Sequence, residues 1–296
     1  MRNLFRAEWI KIAGNRWVAG CLIWIFPVGA VAFIVVAGLV LALSSSARAG
    51  LRQDEAILWT EQAISMWNFP NNPVGRLILL GFTAVVFAGE YQWQTWKNVV
   101  PRNRRAALIL IKFAALGVFV VLAFSLMSVL WTVGWAVLTR IADVPYGPRV
   151  TGTVVRDFAG DYGLAAALAF VSTLIAAGYA ALAGMLTRSI LGGVIAGFAA
   201  TFVENLSILA LILIGWFLDI PKIVHLYRFT PGYNLINVAS WINDNAPNTM
   251  RPFEEGKYSN IVFSDSLAFS VIVLAAWVIG LIALTIALFQ RQDITS

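Results

Sequence analysis

Residues 106–138 read "AALILIKFAALGVFVVLAFSLMSVLWTVGWAVL", an unbroken apolar run whose one charge is Lys112. An α-helix rises about 1.5 Å per residue and the hydrocarbon of a bilayer is about 30 Å thick, so such a run crosses a membrane with length to spare. Its apolar residues are continuous and lack the two-residue alternation of a barrel strand, which makes helix the default. Five similar runs flank it, and the six spans are placed at 17–43, 73–90, 106–138, 161–186, 189–217 and 266–289. The expected fold is an all-α integral membrane protein, with a leader at 1–16 and one six-span transmembrane domain over 17–296. Composition agrees, since 60% of the 296 residues are apolar, 12% are charged and the mean hydropathy is +0.80. No soluble interior hides that much apolar surface.

The inventory of reactive side chains is thin. Cys21 is the one cysteine and lies within the first span, where it reads as a small hydrophobe, and His225 is the one histidine. A haem subunit or an intramembrane metalloprotease needs several such ligands, so no metal site and no catalytic residue is expected. A cleavable signal is not expected, because the first apolar run is far longer than a signal core of about 7–15 residues. Basic residues are densest on the short segments at 1–16 and 89–105, with Arg188 and Arg291 on the same side of the membrane. By the positive-inside rule that side is the cytoplasm, both termini face it, and 44–72, 139–160 and 218–265 form the external connections. The pI of about 9.7 does not imply nucleic acid, since the inner basic residues lie next to the membrane and the others are spread over external loops.

The one polar inner connection is "GEYQWQTWKNVVPRNRR" at 89–105. Trp93, Trp96 and Val100 recur at helical spacing and predict a short helix, which Pro101 stops. Asn103 is placed to cap the third span, with Arg104, Arg105 and Lys112 near its inner end. In the leader, Phe5, Trp9 and Ile12 make one apolar stripe, with Glu8 and Lys11 on a different face, and this predicts an amphipathic helix lying in the membrane surface. Membrane lipid is thus an expected partner, and interfacial anchoring is by itself a sufficient reading of both segments.

Within the membrane, the fifth span "SILGGVIAGFAATFVENLSILALILIG" sets Gly193, Gly197, Thr201, Glu204 and Asn205 on one face. A carboxylate at that depth costs about 2.5–3.5 kcal/mol and needs a partner, a proton or water. Glu204 therefore reads either as part of a translocation path, with Thr201 and Asn205, or as a hydrogen-bonded tie between helices. Ser125, Ser128 and Thr132 form a weaker polar stripe on the third span, read as helix packing. The stretch "NLINVASWIN" at 234–243 predicts an amphipathic helix before the last span.

The order "RAEWIK" at 6–11, an apolar span, a second span ending in "GEYQWQTWKNVVPRNRRAALILIKF" and four more spans resembles the membrane (permease) subunit of a type-2, G-subfamily-like ATP-binding-cassette transporter. In that family the second span ends in a glutamate, followed by a short helix with a Gly-Thr-like pair, a proline, a basic cluster and a further lysine. Glu90, Thr95, Pro101, Arg104, Arg105 and Lys112 occupy those places, with Gln94 and Ile111 where glycine is commoner. The resemblance implies that 89–105 is a coupling helix docking on a separate ATPase subunit. Trp93 and Trp96 would be its exposed anchors, and Glu90 with Arg104 or Arg105 the clasp at its root. It further implies ATP-Mg on that partner with no cofactor on this chain, a second membrane subunit completing a homodimer or heterodimer, export across the plasma (inner) membrane, and a re-entrant helix opening near Pro231.

No Gly-x-x-x-x-Gly-Lys-Ser/Thr occurs in the chain, the Gly-Lys of "EEGKYSN" at 254–260 lacking its partner glycine, so an energy source is expected on another polypeptide. Two other classes stay open at this level. One is a stand-alone ion-coupled transporter using Glu204, and the other is a membrane immunity or binding protein. Neither gives a reason for the pattern from Glu90 to Lys112.

Overall fold

The computed structural model describes residues 2–53, 56–96, 104–252 and 261–292. The leader is a helix, α1 (Arg2–Gly14). The first apolar run is not one rod, as 17–43 predicts, but two helices, α2 (Arg16–Leu22) and α3 (Ile25–Leu43). Pro27 is the physical reason, because it has no N–H to offer the Ile23 carbonyl and its ring crowds that oxygen. Phe26 N–H reaches Ile23 O at 3.4 Å instead, and Val28 N–H resumes the ladder on Trp24 O at 3.1 Å.

The chain continues through α4 (Ser45–Leu51), β1 (Ile57–Leu58), α5 (Trp59–Ser65) and a 3-10 helix (Met66–Asn71) to α6 (Pro73–Gln92). Then follow α7 (Arg105–Ala142), β2 (Tyr146–Gly147), α8 (Gly152–Thr187), α9 (Ile190–Phe217), a second 3-10 helix (Pro221–Phe229), α10 (Pro231–Asn243) and α11 (Leu267–Arg291). The two strands pair in parallel, with Ile57 opposite Tyr146 and Leu58 opposite Gly147. Among the described residues, six helices, α3, α6, α7, α8, α9 and α11, are long and apolar enough to cross a membrane. Each overlaps one of the six runs read from sequence, with α3 taking only 25–43 of the first, and α10 covers the predicted 234–243 helix.

Capping fixes the ends more closely than hydropathy does. The α8 helix begins at Gly152, ahead of the apolar run at 161, because the Thr151 hydroxyl accepts from Val154 N at 3.3 Å and starts the helix in polar sequence. Ser189 and Ser266 cap α9 and α11 in the same way. At the other ends, α6, α7 and α9 close through a left-handed residue, Gln94, Asp143 and Asp219. In each the following N–H reaches back five residues, as Thr95 N does to Glu90 O at 3.0 Å.

The chain divides into two units, residues 1–82 with 111–170, and residues 83–110 with 171–296. In the first, Phe26 and Trp67 pack on Phe124, and Trp67 meets Tyr162 edge-on. Its connection at 44–72 is tied down: Arg52 Nε donates to Ala142 O at 2.7 Å, Ser128 Oγ to Ala63 O at 2.7 Å, and Trp131 Nε1 to Gln62 Oε1 at 3.1 Å. Ser128 and Thr132 thus serve packing, Thr132 donating back to Ser128 O at 2.8 Å. In the second unit, Gly193 and Gly197 let α9 close on α8, where an added Cβ would lie 3.0 Å from Ala180 atoms in both cases. A small core of Val224, Tyr233 and Phe263 lies beneath the second 3-10 helix and α10.

Candidate functional site

Four groupings of polar side chains stand out, three in the second unit and one in the first. The turn after α6 carries the predicted coupling residues. Gln94 takes φ 54°, which ends the helix at Gln92, so Trp93 and Trp96 do not continue one helical face. Trp93 is 51% exposed, whereas Trp96, predicted as its fellow exposed anchor, is 2% exposed. Trp96 lies against the Phe289 ring at 4.4 Å and the edge of Tyr91 at 5.9 Å. Trp93 folds back over Gly89, where a Cβ would come within 2.8 Å of the indole.

Glu90 is 4% exposed and accepts from the Thr95 hydroxyl, so its carboxylate holds the turn from inside. The Arg105 guanidinium, predicted as a candidate for its clasp, donates instead to the carbonyls of Phe289, Gln290 and Gln292 at 3.0, 2.9 and 2.8 Å. It satisfies the open end of α11 and lies over the Phe289 ring at 5.8 Å. Arg104 is exposed, and its carbonyl receives Leu108 N as α7 begins. Gln292 completes the knot, donating through Nε2 to Met185 O at 2.8 Å and accepting from the Tyr91 hydroxyl. The turn after the second span is therefore bonded to the ends of the fourth and sixth. Pro101, Val100 and Asn103 lie outside the described residues.

Glu204, half-buried on α9, accepts from Gly232 N at 3.0 Å and from the Tyr179 hydroxyl at 3.4 Å. Gly232 is the second residue of α10, so the carboxylate sits at that helix's N-terminus and meets an otherwise open N–H and the positive end of its dipole. Thr201 is half-buried and donates to Phe198 O at 2.8 Å. Asn205 is exposed, so it does not share their environment, and the predicted five-residue face ends at Glu204.

Beside Glu204's helix end lies a network that the sequence reading missed. Asp265 is buried and accepts from Arg228 Nε at 2.9 Å, from Arg228 Nη2, and from the Tyr233 hydroxyl at 2.9 Å. Its backbone carbonyl receives Asn237 Nδ2 at 2.9 Å and Trp241 Nε1 at 2.8 Å. Burial alone would push the Asp265 carboxyl up, but hydrogen bonds from Arg228 and Tyr233 and the Arg228 charge overcome it and hold it below 3.8. Tyr233 is held above its ordinary value of 10.0 by burial first, and then by its bond to Asp265. The signal in the sequence was the pair Asn234 and Asn237 on the buried side of an otherwise apolar helix.

In the first unit, Glu8 of α1 bonds Lys112 Nζ at 2.8 Å, the lysine side chain being 2% exposed. Trp9 stacks on Phe119 at 4.2 Å and 14°. Glu8, predicted on a face apart from the apolar stripe, thus turns to α7 together with Trp9, drawn by the buried ammonium. Among the described residues, no group of three or more His, Cys, Asp or Glu could hold a metal ion. No protein-family model matches the chain, and no curated protein matches it.

Proposed function

We propose that this chain is the permease subunit of an ATP-binding-cassette exporter of the type-2, G-subfamily-like kind. It lies in a plasma membrane with both termini cytoplasmic, and a separate ATPase subunit hydrolyses ATP-Mg and drives it. The observation that carries the proposal is the root of the 89–96 turn, where Glu90, Trp96 and Arg105 join the end of α6 to the ends of α8 and α11 through Phe289, Gln292 and Met185. Force applied at such a turn reaches three spans at once, which is what a coupling element requires.

In this reading Trp93 is the contact for the ATPase cleft, since a large exposed aromatic supplies the hot spot of a docking surface. Trp96 sits beneath it and keeps the turn rigid. A second membrane subunit, identical or related, completes the translocation path, and the helix at 231–243 covers its outer end. Glu204 holds that cover in place. The substrate has to be one that a path between apolar helices accepts.

The test is cross-linking from a single cysteine placed beside Trp93, Gln92→Cys at an exposed position, in a Cys21→Ser background, with a short thiol-reactive photoprobe in native membranes. The expected product is an adduct to a soluble protein with ATPase activity. Labelling by lipid alone contradicts the proposal and moves the reading to a stand-alone transporter or a binding protein.

A further inference from the structure

We propose that α1 and the adjoining surface of α7 form a binding site for one anionic phospholipid, its phosphate held by Arg2 and Arg6 and an acyl chain lying along Phe5, Trp9 and Val118. An open cavity of about 670 Å³ is lined by these five residues and Asn3. Arg2, Phe5, Arg6 and Trp9 recur at i, i+3, i+4 and i+7, so two guanidiniums and two aromatic rings share one side of α1. Phe5 and Trp9 stack with centroids 6.3 Å apart, and Val118 continues the apolar wall onto α7.

The charges at this cavity are available. Both arginines are exposed, and neither has an ion pair or hydrogen bond among the described residues. Glu8, the one acid in α1, is engaged by Lys112 at 2.8 Å and Lys11 at 2.9 Å. A phosphate meets two positive groups there and no nearby α1 carboxylate that is not already paired.

Depth selects a lipid as the source of that phosphate. The 38 residues of α7 extend about 57 Å, well beyond about 30 Å of hydrocarbon, so its ends project from the core. With about 30 Å of hydrocarbon centred on α7, Lys112 and Phe119, which hold α1 and lie roughly 10 and 20 Å from the first residue of α7, bracket the boundary between headgroups and acyl chains. A free phosphate has no use for Phe5, Trp9 and Val118, whereas a phospholipid uses the guanidiniums and the apolar wall together. The proposal needs only that α7 crosses a membrane, and it holds whether or not the chain is a permease.

The experiment is native mass spectrometry of the full-length protein in detergent with equimolar phosphatidylglycerol and phosphatidylcholine. The expected result is one retained phosphatidylglycerol, favoured about tenfold over phosphatidylcholine. Arg2→Gln/Arg6→Gln loses most of that preference, and Arg149→Gln/Arg156→Gln, which removes as much charge elsewhere, keeps it. Should the first pair fail to purify, Arg6→Gln alone carries the test. The proposal is overturned by an unchanged preference in the Arg2 and Arg6 variants, by equal loss in the Arg149 and Arg156 pair, or by displacement of the lipid by millimolar inorganic phosphate.

Discussion

Gln94 sits at φ 54°, where the Cβ of an L-residue crowds the following carbonyl at a cost of roughly 1–2 kcal/mol. The helix end at Glu90–Thr95 imposes that conformation, and glycine accepts it freely. Gln94→Gly is therefore expected to raise stability by about 1 kcal/mol, after the extra freedom of the unfolded chain is set against the strain relieved. Thermal unfolding in detergent reads this directly; a lower midpoint would mean that the Gln94 side chain itself supports the turn. Lys112 makes a second case. Glu8→Ala removes a carboxylate from a buried ammonium and is expected to cost about 3 kcal/mol, while Glu8→Leu/Lys112→Met recovers most of it. If the double variant unfolds as early as the single one, the pair does more than neutralise its own burial. Glu204 separates charge from geometry. Glu204→Gln keeps an acceptor for Gly232 N and should cost little, whereas Glu204→Ala leaves that N–H open at about 1–3 kcal/mol.

At the scale of elements, α10 is held by its cap at Thr230, by Glu204, and by the bonds of Asn237, Trp241 and Tyr233 to Asp265. The folded Asp265 titrates below 3.8, so its stabilisation is present in full above that pH and is lost as pH falls through the folded value. Cleavage within 218–252 by an acid protease should rise steeply below about pH 4 in the wild type. Asp265→Asn should loosen the segment at neutral pH and flatten this dependence; a steep acid transition in the variant would place the titrating group elsewhere. The close approach of α8 and α9 gives another expectation. Gly197→Leu places atoms where Ala180 lies 3.0 Å from a bare Cβ, and it should cost about 1–3 kcal/mol, read by the thermal midpoint.

The spans were legible because their signal is length and continuity, which no tertiary contact can erase, and Glu204 was legible because a carboxylate in such a run is costly anywhere. The break before Pro27 was equally present in the sequence as a residue that cannot donate. What escaped reading depends on pairs far apart in the chain. Asp265 with Arg228, Glu8 with Lys112 and Arg105 with the end of α11 join positions that no helical period relates. Trp96 shows how one backbone angle redirects such a reading: the left-handed Gln94 changes the helical phase, so two tryptophans three residues apart divide into one exposed and one buried.

For the molecule as a whole, the proposed function joins two features, a polar turn tied to three spans and the absence of a phosphate-binding loop motif from the sequence. In the proposed function the chain is the lever and a separate ATPase subunit is the motor. The most direct measurement is affinity purification of the tagged protein from native membranes in mild detergent, with mass spectrometry and an ATP hydrolysis assay on the eluate, for wild type and Trp93→Ala. The account predicts a co-eluting ATPase whose association falls by about tenfold or more in the variant, as loss of a hot-spot tryptophan should cause. A protein that elutes alone without hydrolysis, under conditions that keep other membrane complexes intact, would contradict it.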